Sequence, residues 1–144
     1  MRLIGFSFSK IEALKNKPLI EAPKVGTSIN ILDMNEIDSK MFSSEESALE
    51  VEFGYEINYN KDVANFNFKG KMHLLGESKE IKNLVSNWKD KEVSDEVKTM
   101  LFNIIFRKVN LKAAQLEEEL GVPIHFRMPS LKISSENSKE EKKK

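Results

Sequence analysis

The side chains of this sequence that could do chemistry are two histidines, a run of three glutamates and a row of glutamates at alternate positions, and spacing decides how much chemistry each can perform. His73 and His125 stand far apart, and neither falls in the HxxxH or HExxH pattern that sets two imidazoles on one helical face toward zinc. A packing or solvent-facing role is expected for both, with no metal. Glu117, Glu118 and Glu119 are consecutive in a helical stretch, where neighbours diverge around the axis and cannot converge as an acid–base pair, so they read as a solvated helix end. Glu50, Glu52 and Glu56 share one face of a strand, but Lys69, Lys71 and His73 on the next strand balance them, which is ordinary sheet surface. No serine lies in a G-x-S-x-G context, and Gly70 and Gly76 are isolated, so neither a nucleophile elbow nor a phosphate-binding loop is present. The expectation is a protein without catalytic residues or cofactor, and not an enzyme.

The elements that would position these groups follow from periodicity. Leu49 to Tyr59 and Ala64 to Leu74 each alternate apolar and polar residues, the pattern of half-buried strands. Putting both apolar sets on one face through the connection Asn60-Lys61-Asp62-Val63 pairs Tyr59 with Ala64, Tyr55 with Phe68, Glu52 with Lys71 and Glu50 with His73. Upstream, Leu3 to Ala13 is a strand whose apolar parity changes, which calls for a bulge near Ser9 and Lys10. Pro18, Pro23 and Gly26 make a loop, and Ser28 to Met34 is a weaker strand with Ile29 and Ile31 on one face and Leu32 and Met34 on the other. Downstream, Ile81, Leu84, Val85 and Trp88 recur at helical spacing after a Ser78 cap.

Ser94 to Gly121 reads as one long helix of about 40 Å, started by Ser94 with Asp95 and Glu96 at the positive dipole end, and stopped by Gly121 and Pro123. Val97, Met100, Leu101, Ile104 and Ile105 form one apolar stripe. Phe102, Phe106, Val109 and Ala113 form a second, offset stripe, which implies that one side covers a sheet while the other meets a subunit or ligand. The order of elements gives an α+β domain with an antiparallel sheet covered on one face.

Composition narrows the function classes. With 144 residues the chain can bury a core without help, and with no Cys it has neither disulfides nor thiolate chemistry, which fits a reducing cytoplasm. The 23 basic and 23 acidic residues cancel, so there is no overall footprint for nucleic acid. The start of the chain lacks a signal-peptide apolar core, and no stretch is long enough for membrane insertion. A surplus remains: Phe6, Phe8, Ile29, Ile31, Met41, Phe42, Phe126 and Met128 lie on thin or irregular elements, where adaptable apolar residues suit binding of nonpolar segments. The alternative is that they serve only core or subunit contacts.

In the long helix the run Asn103-Ile104-Ile105-Phe106, followed by Pro123 and Pro129 in the extended segment Pro123 to Pro129, resembles the SecB-like protein-export chaperones, and the resemblance covers about Leu3 to Ile133. It implies a four-stranded antiparallel sheet with two helices, residues 1–133 as one domain, and 134–144 as a flexible charged tail. It further implies a cytoplasmic homotetramer, a dimer of dimers with the long helices between them, in which Phe102, Phe106, Val109 and Ala113 form the interface. The activity implied is ATP-independent holding of unfolded or nascent polypeptides, for protein export or a dedicated client. By position, Ile29 and Ile31 match the family's groove residues, and Phe126, Met128 and Leu131 flank the groove; Phe6, Phe8, Met41 and Phe42 complete the expected client surface. The chain departs from the family in its zero net charge and in a tail without Cys or His, where well-studied members are acidic and bind zinc. Two other readings stay open: a non-catalytic oligomeric scaffold subunit, and a hotdog-like acyl-thioester enzyme.

Overall fold

The computed structural model describes residues 1–37 and 45–126. Met41, Phe42, Met128, Leu131 and the tail 134–144 lie outside the described residues. Four strands, β1 (Arg2–Lys15), β2 (Val25–Ile37), β3 (Glu46–Tyr59) and β4 (Ala64–Glu77), precede α1 (Ser78–Lys89) and α2 (Asp95–Leu120). The strands form one antiparallel sheet in the order β1-β4-β3-β2.

The β3–β4 hairpin has the register that its alternation requires. Tyr59 pairs with Ala64, Tyr55 with Phe68, Glu52 with Lys71 and Glu50 with His73. Asn60 and Lys61 turn the chain with φ of 45° and 69°, the positive values that a tight hairpin reversal needs. On the outer face Glu50 Oε2 meets His73 Nε2 at 3.0 Å, and Lys71 Nζ lies 3.7 Å from Glu50 Oε1, so Lys71 reaches diagonally rather than across to Glu52.

Bulges reconcile the edge strands with the core. β1 shifts register between Phe8 and Lys10, as its parity change demands, and again between Leu3 and Gly5. The two shifts bring Leu3, Phe6, Phe8, Ile11 and Ala13 opposite Leu74, Met72, Gly70, Phe68 and Phe66, all on the face that carries the core. β2 is longer than its apolar centre suggested, because its polar ends still complete the backbone ladder. It shifts between Ile31 and Asp33, which overturns the expectation that Leu32 and Met34 share a face. Met34 turns inward and is buried, whereas Leu32 stays on the opposite face beside Gly54 and exposed.

The core lies between one sheet face and the helices: Val51, Phe53, Tyr55, Ile57 and Tyr59 of β3 with Phe66, Phe68, Met72 and Leu74 of β4, beneath Ile81, Leu84, Leu101, Ile105 and Val109. At α1 the cap is Glu77 rather than Ser78. Ser78 is the first helical residue, and its N–H donates to the Glu45 carbonyl at 2.8 Å. At α2 both ends are as expected, with Ser94 Oγ accepting from Val97 N–H at 3.3 Å and Gly121 in the left-handed region at φ 70°.

Val109 and Ala113 of the second stripe of α2 continue the first. Leu101, Ile105, Val109, Ala113 and Glu117 are fully buried at strict four-residue spacing. Four residues turn about 400° on a helix, so the buried line winds by about 40° at each step, along the ridge that packs obliquely on a twisted surface. Val109 and Ala113 therefore belong to the chain's own core and offer no surface to a partner, contrary to the expectation that they face another subunit. Phe102 is half-buried, and Phe106 keeps 39% of its surface exposed.

Candidate functional site

An aromatic band crosses the helix-covered face of the sheet. Ile31, Phe53, Gly70 and Phe8 are successive partners across all four strands, and Ile29, Tyr55, Phe68 and Ile11 make the next row. Gly70 is what makes the first row continuous. A Cβ there would stand 2.4 Å from the Ser7 carbonyl oxygen and 2.8 Å from Phe53 Cζ, so the Phe53 ring occupies the space of the missing side chain. Phe53 stacks on Phe6 with ring centroids 5.2 Å apart, and Phe6 and Phe8 meet edge to face at 5.5 Å. Lys108 Nζ of α2 sits 6.0 Å from the Phe6 ring centre, tying the helix to β1.

Tyr55 is the hub of the second row. Its ring is edge-on to Phe68 at 6.3 Å, to Phe106 at 5.9 Å and to His125 at 6.1 Å, and Phe126 packs edge to face on His125 at 4.9 Å. Where β1 and α2 diverge, a cleft of about 780 Å³ opens, lined by Met1, Leu3, Leu74, Met100, Ile104 and Phe106 among others. It is open, and Glu96, Thr99, Asn103 and Arg107 of α2 line it beside these apolar residues, a shape that accepts an extended segment more readily than a compact ligand.

Beneath the end of α2 the only two tyrosines join a buried polar network. The Tyr59 hydroxyl donates to Glu117 Oε2 at 2.7 Å and also lies against the Pro123 carbonyl oxygen. His125 Nδ1 stands 2.7 Å from the same Glu117 oxygen, and its Nε2 lies 2.9 Å from Asn110 Oδ1 and 3.2 Å from the Tyr55 hydroxyl, which donates to Asn110 at 3.1 Å. Burial, then the Glu117 charge, pushes the Tyr55 hydroxyl up to about 12. Burial, then the hydrogen bond to Glu117 and its charge, raises Tyr59 strongly as well.

A carboxylate orienting an imidazole is an arrangement that catalysis uses, but here the second imidazole nitrogen is spent on Asn110 and Tyr55. The His125 side chain is 3% exposed and Glu117 is 0% exposed, so no substrate can reach the pair. The network instead pins the segment after α2 to the sheet, with the His125 N–H donating to Glu117 Oε1 at 3.4 Å. Glu117 is not a solvated helix end, and the signal that finds it is the four-residue spacing from Leu101, which only this one of the three glutamates continues. Among the described residues no cluster of His, Asp or Glu could hold a metal, and no helix is long and apolar enough to cross a membrane.

The expected client residues that are among the described residues fall in three places on one face. Phe6 and Phe8 are half-buried on β1 at one edge of the band, and Ile29 and Ile31 are half-buried on β2 at the other. Phe126 is half-buried beside His125, where the network holds it.

No protein-family profile matches the chain, and no curated protein sequence does. Among solved structures, the Mycobacterium tuberculosis SecB-like chaperone Rv1957, in complex with a ChAD peptide from the Rv1956 HigA1 antitoxin, is similar with a TM-score of 0.50 at 11% identity, over 92% of this chain and 92% of that one. At that identity the likeness is one of backbone path: four antiparallel strands followed by two helices on one face. The chain therefore has an α+β SecB-like fold.

Proposed function

We propose that the chain is an ATP-independent chaperone that holds non-native polypeptide segments against its apolar band, either for protein export or for a dedicated client. The observation that carries this reading is the half-buried rim of Phe6, Phe8, Ile29 and Ile31, on a fold similar to that of Rv1957, which was solved in complex with an antitoxin peptide. The mechanism is burial of client apolar surface at about 25 cal/mol per Å². Many small contacts give affinity without sequence specificity, and the free edges of β1 and β2 can add strand pairing. Met41, Phe42, Met128 and Leu131 extend the client surface in this proposal. The chain acts in the cytoplasm as a homo-oligomer, with the partly exposed flank of α2 at Phe102 and Phe106 as a subunit contact. Neither nucleic acid nor membrane insertion has a place in this scheme.

The test is co-elution of the chain with a reduced, permanently unfolded polypeptide in the absence of nucleotide. The native chain is expected to retain the client, and the Ile29→Ser/Ile31→Ser variant to retain several-fold less. Passage of the client at its free position with the native chain would overturn the proposal.

A further inference from the structure

The link between the two helices has features that client holding does not use. After Lys89 the chain reverses within a few residues to reach Ser94. Lys91 takes φ 59°, in the left-handed region that side chains seldom enter. Three backbone bonds hold the turn: Asp90 N–H to the Ser86 carbonyl at 3.2 Å, Lys91 N–H to Trp88 at 3.0 Å and Glu92 N–H to Asn87 at 2.7 Å. Val93 is buried beneath it, and a cavity of about 330 Å³ opens between the end of α1 and the first turn of α2.

The cavity is lined by Trp88, Lys89, Lys91, Val93 and Lys98. These are one indole, one aliphatic side chain and three ammonium groups, with no acid among them. Asp90, Glu92, Asp95 and Glu96 alternate with the lysines in sequence, but none lines the cavity. Among the described residues, none of the three lysines forms an ion pair. Trp88, the only tryptophan, packs part of its ring on the core and presents another part to the cavity. Lysines on both helices and on the intervening turn thus surround an apolar floor, and none of the three is held in an ion pair among the described residues. Such a site selects a ligand carrying negative charge around an apolar group.

We propose that this cavity binds an acidic polypeptide segment. One large apolar side chain of the segment lies over Val93 against the Trp88 ring, and flanking Asp or Glu carboxylates meet Lys89, Lys91 and Lys98. The volume is at the small end of the range of about 300–1,000 Å³ for ligand sites, so it takes one side chain rather than a larger compact ligand. A nucleic-acid strand would also stack on an indole, but it needs a cationic track for successive phosphates, and this chain has zero net charge, with Asp90, Glu92, Asp95 and Glu96 next to these lysines in sequence. The cavity shares no lining residue with the cleft between β1 and α2. The inference therefore stands whether or not the chain holds non-native clients.

Trp88 supplies the readout, since its fluorescence reports this site and no other. The native chain is titrated with a capped Glu-Asp-Leu-Asp-Glu peptide, with a version carrying Ser for Leu, with a version carrying Lys for every acid, and with an oligothymidylate. The acidic Leu peptide is expected to change the emission saturably, and both altered peptides to bind several-fold more weakly. The Lys89→Gln/Lys91→Gln/Lys98→Gln variant is expected to weaken binding by about tenfold, as is the case when several surface ion pairs are removed together. Raising salt to about 0.5 M should weaken the native chain's binding in the same direction, which tests the charge contribution without any substitution. No response to the acidic peptide, equal binding of the Lys version, or a response to the oligothymidylate alone would overturn the proposal.

Discussion

At the scale of single residues, the buried carboxylate of Glu117 explains more of this chain than any other group. Tyr59 and His125 both lie 2.7 Å from one of its oxygens, so removing either leaves a buried acceptor with fewer partners. His125→Leu is expected to destabilise the chain by about 1–3 kcal/mol in urea unfolding, and the double variant Glu117→Leu/His125→Leu to recover part of that, because a buried acceptor that has lost a donor costs more than apolar groups in place of both partners. A double variant less stable than the single would contradict this account. The tyrosines give a pH test. In the unfolded chain both hydroxyls ionise near pH 10, whereas in the folded chain burial holds Tyr55 up to about 12 and raises Tyr59 too. Folding thus favours the protonated form, and its contribution is complete below about pH 10 and lost as pH rises from about 10 through about 12. Phenolate absorbance should show no step near pH 10 while the fold is intact, with ionisation arriving together with loss of circular dichroism. A tyrosine that titrates near 10 in the folded chain would refute the network. Glu117 was legible in principle from the four-residue line that begins at Leu101. A run of three glutamates hides that line, because composition alone marks all three as solvated.

At the scale of elements, the sheet is written in parities and the exceptions are bulges. The β3–β4 register followed from alternation, and so did the shift near Ser9 on β1, because an apolar set that changes parity must either bulge or bury polar residues. The shift at Leu32 was not legible. Leu32 and Met34 are both apolar two residues apart, which is also what an ordinary strand shows, and only the partners Phe53 and Val51 on β3 decide that Met34 turns inward. On the long helix, a line winding by about 40° per step separates Val109 and Ala113 from Leu101 and Ile105 when the helix is drawn straight. The close approach at Gly70 leads to a further expectation. Gly70→Ala would place a methyl group 2.4 Å from the Ser7 carbonyl oxygen and drive Phe53 out of its stack on Phe6. It should lower stability by about 1–3 kcal/mol, measured by urea unfolding. A stable Gly70→Ala chain would show that the row has slack that its geometry does not suggest.

At the scale of the whole molecule, the edge strands β1 and β2 each pair on one side only among the described residues, and α2 carries apolar surface that no described residue covers. Leu111 is 76% exposed there, and Phe106 is 39% exposed. For the homo-oligomer proposed above, Phe102→Glu/Phe106→Glu is expected to give smaller species than the native chain in sedimentation, and an unchanged size would contradict this interface. The fold class was legible because element order and periodicity leave few ways to cover an antiparallel sheet. The site was legible only as a set of surplus apolar residues. Which of them meet depends on pairings across four strands and on the network that returns Phe126 to Tyr55, neither of which periodicity encodes. The central claim is that this surface holds non-native chains. Its most direct measurement is light scattering from a denatured client as it aggregates, with the chain in several-fold molar excess and no nucleotide present. The account predicts that the native chain suppresses the scattering and that Ile29→Ser/Ile31→Ser, folded but altered on β2, suppresses it much less. Undiminished aggregation in the presence of the native chain would contradict it.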